Sequence, residues 1–353
     1  MKILIDIGHP GHVHLFRPFA KEMIVRGHAI LFTCREKEFE IQLLESAGFD
    51  YVSFGRKYKT TLGKLFGLLK FDVLEISNGL KFKPDMFMSH GSPYAAHAAW
   101  FLRKPHVSME DTGNMEQVRL YLPFTKHVLT STAFHRNLGE KQIRYSGYHE
   151  LAYLHPNRFT PNPFIYNELK LKSNDEYVLL RFVSWNASHD VNQSGLTLEE
   201  KRFLVALLEK KYKVFISSEQ PLPDEFLKYR IDISPHKMHD AMAFAKLFIG
   251  EGATMASESA MLGVPAIYIN TLTAGTINEQ MAYGLVYHLE KTTGLIKKVE
   301  ELIHSHSDDF IRKRFHMLEH KIDVTAFLVW FIENYPASVR TLKKDPEYSQ
   351  QFK

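Results

Sequence analysis

A single cysteine, Cys34, in 353 residues excludes an intrachain disulfide and any cysteine-rich zinc or iron–sulfur centre. It also points to a reducing compartment. No uninterrupted apolar run reaches the roughly 18 residues that suggest a membrane span. The opening "MKILIDIG" is broken by Asp6 and lacks the long apolar region and small-residue cleavage site of a signal peptide, so a cytoplasmic protein is expected. Excess charge is absent too. The balance is +4 with histidine neutral, and Lys and Arg are dispersed among Asp and Glu, so nucleic acid is not an expected partner.

What is present is an ordinary globular composition, 45% hydrophobic and 24% charged, which predicts folding throughout. The length exceeds the roughly 100–200 residues usual for one domain and predicts two. Lys2–Ile7 is a short apolar run, and Leu15, Phe16, Phe19, Ala20, Met23 and Ile24 then recur at helical spacing. Strands over 29–33 and 51–54 and a helix over 36–47 continue the alternation, followed by strands at 86–89, 107 and 128–131. Prolines and asparagines in "SGYHELAYLHPNRFTPNP", Ser146 to Pro163, interrupt it. It restarts with strands at 177–183, 214–217, 247–250 and 265–270 and helices at 198–211, 237–245 and 254–262. Such alternation implies α/β architecture with two doubly wound parallel sheets. The expected division is 1–150, a linker at 151–165, a second domain at 166–322 and a tail at 323–353 that returns to the first domain. The stretch 309–334 reads as wholly helical.

In "LFIGEGATMASESAMLGVPAIYIN", Leu247 to Asn270, an apolar strand enters Gly250-Glu251-Gly252 and a helix opens near Thr254. The first N–H groups of a helix have no internal acceptor and lie at the positive end of its dipole, which suits a phosphate or diphosphate. Glu258, four residues past Thr254, lies about 6 Å along the same helix face, where a carboxylate reaches ribose hydroxyls. Glycine turns of this kind also occur without ligands, and a solvated or capping role accounts for Glu258 equally well.

The segment "MHDAMAFAKLFIGEGATMASESAMLGVP", Met238 to Pro265, resembles the nucleotide-binding segment of MurG-type glycosyltransferases and, less closely, that of non-hydrolysing UDP-GlcNAc 2-epimerases. Matched positions are Gly252, Ala253 and Glu258. Glu251 departs, standing where that family usually has Ser and bringing a negative charge beside the diphosphate. "GHPGHVHLFRP" resembles the MurG-like "GGTGGHV" turn at Gly11, His12 and Val13. Together with "KFKPDMFMSHGSP" and "ELAYLHPNRFTP", it is similar to the DUF354 family over nearly the whole length.

The resemblance implies a GT-B fold, two Rossmann-like domains facing a cleft with a C-terminal helical segment. It further implies a metal-independent enzyme without a cofactor, which moves a sugar from a UDP-sugar or other nucleoside-diphosphate sugar to a glycan or lipid-linked acceptor. His12 is the first candidate for acceptor base and His14 the second, because imidazole titrates near neutral pH and ligands of open α/β sheets bind beyond the strand ends. Gly252, Ala253, Thr254 and Arg181 would hold the diphosphate, Glu258 the ribose, and Asn278, Glu279 and Gln280 the sugar, with Gly11 in the first turn. Trp185 would wall the pocket. His90, Ser92, Glu110 and Asp111 fall at later strand ends on the acceptor side.

Other accounts stay open. His12 is also explained as a helix cap, His14 as a packing residue and Arg181 as half of a structural ion pair. His9, His12 and His14 with Asp6 make a poor metal site, since positions 12 and 14 point to different faces of a helix. Leu62, Leu65, Phe66 and Leu69, edged by Lys64 and Lys70, read either as core or as a peripheral membrane contact. A UDP-HexNAc 2-epimerase and a silent nucleotide-sugar-binding protein of polysaccharide assembly are the alternatives to transfer.

Overall fold

A computed structural model describes the chain except residues 57, 59, 60 and 184–194, and gives the backbone alone at 61, 62, 64 and 65. Trp185 and the side chains of Leu62 and Leu65 therefore lie outside the described residues. The chain divides into two compact units, Met1–Arg158 with Lys321–Lys353, and Phe159–His320.

The first unit is built on a seven-stranded sheet of β1 (Lys2–Ile7), β2 (Ala29–Glu36), β3 (Tyr51–Arg56), β4 (Met86–His90), β5 (His106–Glu110), β6 (His127–Ser131) and β7 (Gln142–Tyr145). Its order is β3-β2-β1-β4-β5-β6-β7. The second unit holds five strands, β8 (Tyr177–Phe182), β9 (Lys213–Ser218), β10 (Leu247–Gly250), β11 (Ala266–Ile269) and β12 (Val286–Leu289), in the order β12-β11-β10-β8-β9. Every pairing between these strands is parallel. Central strands β4, β5, β10 and β11 are buried along their whole length. Helices on both faces of a parallel sheet demand such continuous apolar runs.

In each sheet the chain winds outward one way and then returns to the other side of its first strand. The reversal lies between β1 and β4 in the first unit and between β8 and β10 in the second. In open α/β sheets these switch points, at the carboxyl ends of the strands, are where ligands bind.

The expected continuous helix over 309–334 is instead two, Ser307–Leu318 and Val324–Glu333. Asp323 ends the break by capping the second, its side chain accepting from the Ala326 N–H. The break coincides with the passage from the second unit to the first. Segment 321–353 joins the first unit through real structure. Ile322 N–H donates to the Ser146 carbonyl, and Phe327 packs on Tyr145 with ring centres 5.3 Å apart. Arg158 bonds both Glu22 and Asp323 at 2.7 Å.

Candidate functional site

At the first switch point β1 ends in Gly8 and His9, and Pro10 opens the helix Pro10–Val25. Proline suits that position because its missing N–H has no helical acceptor there. His9 caps the helix, its Nδ1 accepting from the Gly11 N–H at 3.1 Å. One turn in, the His12 Nδ1 accepts from the Gly8 N–H at 3.2 Å. Helix geometry then sends His12 and His14 in different directions. His14 turns to the buried side, with its ring 5.5 Å from that of Tyr153. His12 stacks on His90 at the end of β4, with ring centres 4.5 Å apart.

His90 belongs to a three-residue cluster. Its Nε2 lies 2.9 Å from one oxygen of Asp111, and the His149 Nδ1 lies 3.0 Å from the other. Both imidazoles are buried, whereas the Asp111 side chain keeps 31% of its surface exposed. Burial alone would push the His90 imidazole down, but the charge and hydrogen bond of Asp111, with Glu110 behind, outweigh it and hold His90 up at about 9. The same partners, His149 before His90, keep Asp111 well below the usual carboxylate range despite its desolvation.

Glu110 supports this cluster from behind. One oxygen accepts from the Thr112 N–H, the Thr112 hydroxyl and the Gly113 N–H, and the other from the Tyr121 hydroxyl. These bonds hold the loop that carries Asp111. Ser92 caps the helix Pro93–Phe101 through the Ala95 N–H. Of the acceptor-side residues expected from sequence, His12, His90 and Asp111 come together, while Glu110 and Ser92 hold backbone. His149 was not foreseen, because it follows β7 in a stretch without regular spacing.

At the second switch point β10 runs through Glu251 to Gly252, which precedes the helix Ala253–Leu262 and caps it without any side chain. Thr254 is exposed and Gly252 and Ala253 are half-buried, so among the described residues the helix start keeps access to solvent. Glu251 does not crowd them. Its carboxylate is buried and accepts from the backbone N–H groups of Val183 at 2.9 Å and Leu196 at 2.7 Å, with the Lys201 Nζ 3.7 Å away. The charge that set this chain apart from the MurG pattern is thus compensated locally.

Glu258 is buried on the same helix and bonded to His239 Nε2 at 2.9 Å. It is neither solvated nor a cap. Arg181, at the end of β8, is spread along the neighbouring strand, donating to the Ser217 hydroxyl at 2.8 Å and to Glu219 at 3.0 Å. Asn278, Glu279 and Gln280 diverge around the helix Gly275–Ala282. Asn278 is exposed and accepts from the Thr273 hydroxyl, Glu279 is half-buried, and Gln280 is buried and donates to the Ser257 hydroxyl at 2.7 Å. His239 and Lys201 carried no sequence signal, each being one polar residue on an amphipathic helix. In the first unit, Phe66 and Leu69 are exposed on the helix Thr61–Phe82 together with Val73. Among the described residues, no helix is long and apolar enough to cross a membrane.

Two parallel-sheet α/β units, each with a helix start at its switch point, define the GT-B fold, and solved structures of that fold align along most of the chain. MnaA from S. aureus, in complex with UDP, matches at a TM-score of 0.65 and 12% identity, over 95% of this chain and 96% of that one. The UDP-GlcNAc 2-epimerase of Methanocaldococcus jannaschii, in complex with UDP-GlcNAc and UDP, matches at 0.63 and 13%, over 87% and 94%. MurG from Acinetobacter baumannii matches at 0.55 and 16%, over 94% and 99%. No curated protein matches in sequence. Residues 1–326 match the family described as "Protein of unknown function (DUF354)", and the chain belongs to that family.

Proposed function

We propose that the protein is a glycosyltransferase that takes its sugar from a UDP-sugar and delivers it to a hydroxyl of a glycan or lipid-linked acceptor. The observation that carries this reading is the helix start at Gly252, Ala253 and Thr254, open to solvent among the described residues, with the adjacent Glu251 charge satisfied by two amides and Lys201. Oriented N–H groups at a switch point stabilise a diphosphate both in the ground state and as it departs. The UDP held by structural neighbours of this fold agrees with that role.

In this scheme Glu258, oriented by His239, receives the ribose hydroxyls, exposed Asn278 and half-buried Glu279 are the candidates for sugar contact, and buried Gln280 holds their helix through Ser257. Arg181 supports the diphosphate from the end of β8. In the first unit the acceptor hydroxyl takes the place of the Gly8 N–H at His12 Nδ1 and gives that nitrogen its proton as the oxygen attacks the anomeric carbon, and the UDP leaves with the electron pair of the broken bond. His14 steadies the helix that carries His12. The exposed Phe66 and Leu69 suit a peripheral contact with a membrane that holds a lipid-linked acceptor.

Calorimetry with UDP and a panel of UDP-sugars tests the donor half. The expected result is saturable binding that weakens about tenfold or more in Glu258→Gln, the loss of roughly one charge-assisted hydrogen bond. No heat with any nucleoside diphosphate would overturn the proposal. His12→Ala is expected to bind UDP unchanged and to lose transfer. Deuterium from solvent appearing at sugar C2 of recovered UDP-HexNAc would make the protein an epimerase instead. UDP binding without turnover by the wild type would make it a binding protein.

A further inference from the structure

We propose that His90, Asp111 and His149 form a binding site for one first-row divalent cation of the zinc or iron(II) kind. The inference concerns the first unit alone and does not depend on the nucleotide reading of the second. It also departs from the metal-free site expected from sequence, which tested a different histidine group.

Two observations converge. His90 Nε2, His149 Nδ1 and a carboxylate oxygen of Asp111 all lie within 4.8 Å of one another. The two nitrogen–oxygen separations are 2.9 Å to one Asp111 oxygen and 3.0 Å to the other. Neighbouring ligands of an octahedral ion with bonds of about 2.1 Å stand about 3.0 Å apart, the scale of each separation, and a carboxylate that faces both imidazoles can meet an ion with one or both oxygens. Two imidazoles and one carboxylate on one side of an ion leave the other positions open, a donor set suited to Zn, Fe and Co rather than Ca or Mg.

The second observation is chemical. A carboxylate only accepts, so each imidazole must direct an N–H at Asp111, and one dication replaces two such protons between the same three side chains. Position agrees. The ligands come from the ends of β4 and β5 and the turn after β7, beside the first switch point, with the His12 ring stacked on His90. The exposed part of Asp111 gives solvent, or an oxygen-bearing ligand, access to the remaining positions.

The test uses the full chain, stripped with a chelator and titrated with Co²⁺ and Zn²⁺ by calorimetry, with the Co²⁺ visible spectrum reporting ligation. One equivalent is expected to bind, with d–d bands of mixed nitrogen and oxygen coordination. Asp111→Asn and His149→Ala are each expected to weaken binding by about 100-fold, at the upper end of what loss of even a supporting group costs. The exposed pair His316 and His320, with ring centres 5.1 Å apart, is the competing surface site. His316→Ala/His320→Ala is expected to leave binding unchanged. Absence of saturable one-to-one binding by the wild type overturns the proposal, whatever the variants do. So does binding that survives His149→Ala and disappears in His316→Ala/His320→Ala.

Discussion

Lowering the pH from 7 to 5 is expected to cost the first unit stability at His106, by an amount that its surroundings set. His106 opens β5 and is fully buried. The Thr125 hydroxyl gives its hydrogen to the Tyr121 carbonyl, so toward His106 Nδ1 it can only accept. Nδ1 therefore carries the proton, and Nε2 accepts from the Ser89 hydroxyl. A second proton has no acceptor waiting at Nε2. Burial, with His97 adding a little, pushes His106 down to about 3.

An exposed histidine in the unfolded chain titrates at about 6.5. Above that pH both states are neutral and nothing is lost. Below it the unfolded chain takes up a proton that the folded chain refuses, so stability falls by about 1.4 kcal/mol per pH unit until the pH nears the folded value. Between pH 7 and 5 the loss is about 2 kcal/mol. Urea unfolding of wild type and His106→Gln at both pH values measures it, because every other titrating group contributes equally to the two proteins. The variant is expected to be less stable at pH 7 but to lose about 2 kcal/mol less on acidification. Equal losses in the two proteins would refute the reasoning.

Other perturbations probe the second unit and the lone thiol. Among the described residues, a Cβ at Gly252 would meet only Val183 Cγ1, at 3.4 Å. Gly252→Ala is therefore expected to melt like the wild type while binding UDP about tenfold more weakly by calorimetry. Glu251→Gln replaces a charged acceptor of two backbone N–H groups and is expected to cost about 2–4 kcal/mol, read from the urea midpoint at constant slope. An unchanged midpoint would show that the carboxylate does not tie Val183 to Leu196. Burial, with Asp6 nearby, pushes the Cys34 thiol up to about 12. The native chain is thus expected to resist an aromatic disulfide reagent at pH 8 and to release one equivalent of thiol in denaturant. Immediate reaction of native protein would contradict the burial.

The order of strands and helices was legible because fully buried parallel strands are uniform apolar runs punctuated by glycine. β1 and β10 read at their observed bounds for that reason, and β6 to within one residue. β2 was expected to stop at Thr33 but continues through Cys34, Arg35 and Glu36, since Arg35 finds Asp6 inside the sheet and can stay in the strand. β7 and β12 went unseen. Their sequences, QIRY and VYHL, mix polar and apolar residues, as edge strands with one partner do. The candidate residues divide the same way. Gly252, Ala253 and Thr254 were legible because backbone turns are encoded locally. His149, His239 and Lys201 were not, because each acquires its role from a residue far away in sequence: Asp111, Glu258 and Glu251.

The segment 321–353 gives the order of events during synthesis. The first sheet is complete by Tyr145, yet residues emerging much later belong to its unit, with Lys321 buried, its Nζ 4.6 Å from the Tyr148 ring centre, and Phe327 and Phe331 fully enclosed. The second unit, by contrast, is one uninterrupted insertion. On the ribosome, the half made second can therefore finish folding first, while the nascent first half waits with an apolar surface uncovered. That interval is when a chaperone has most to protect.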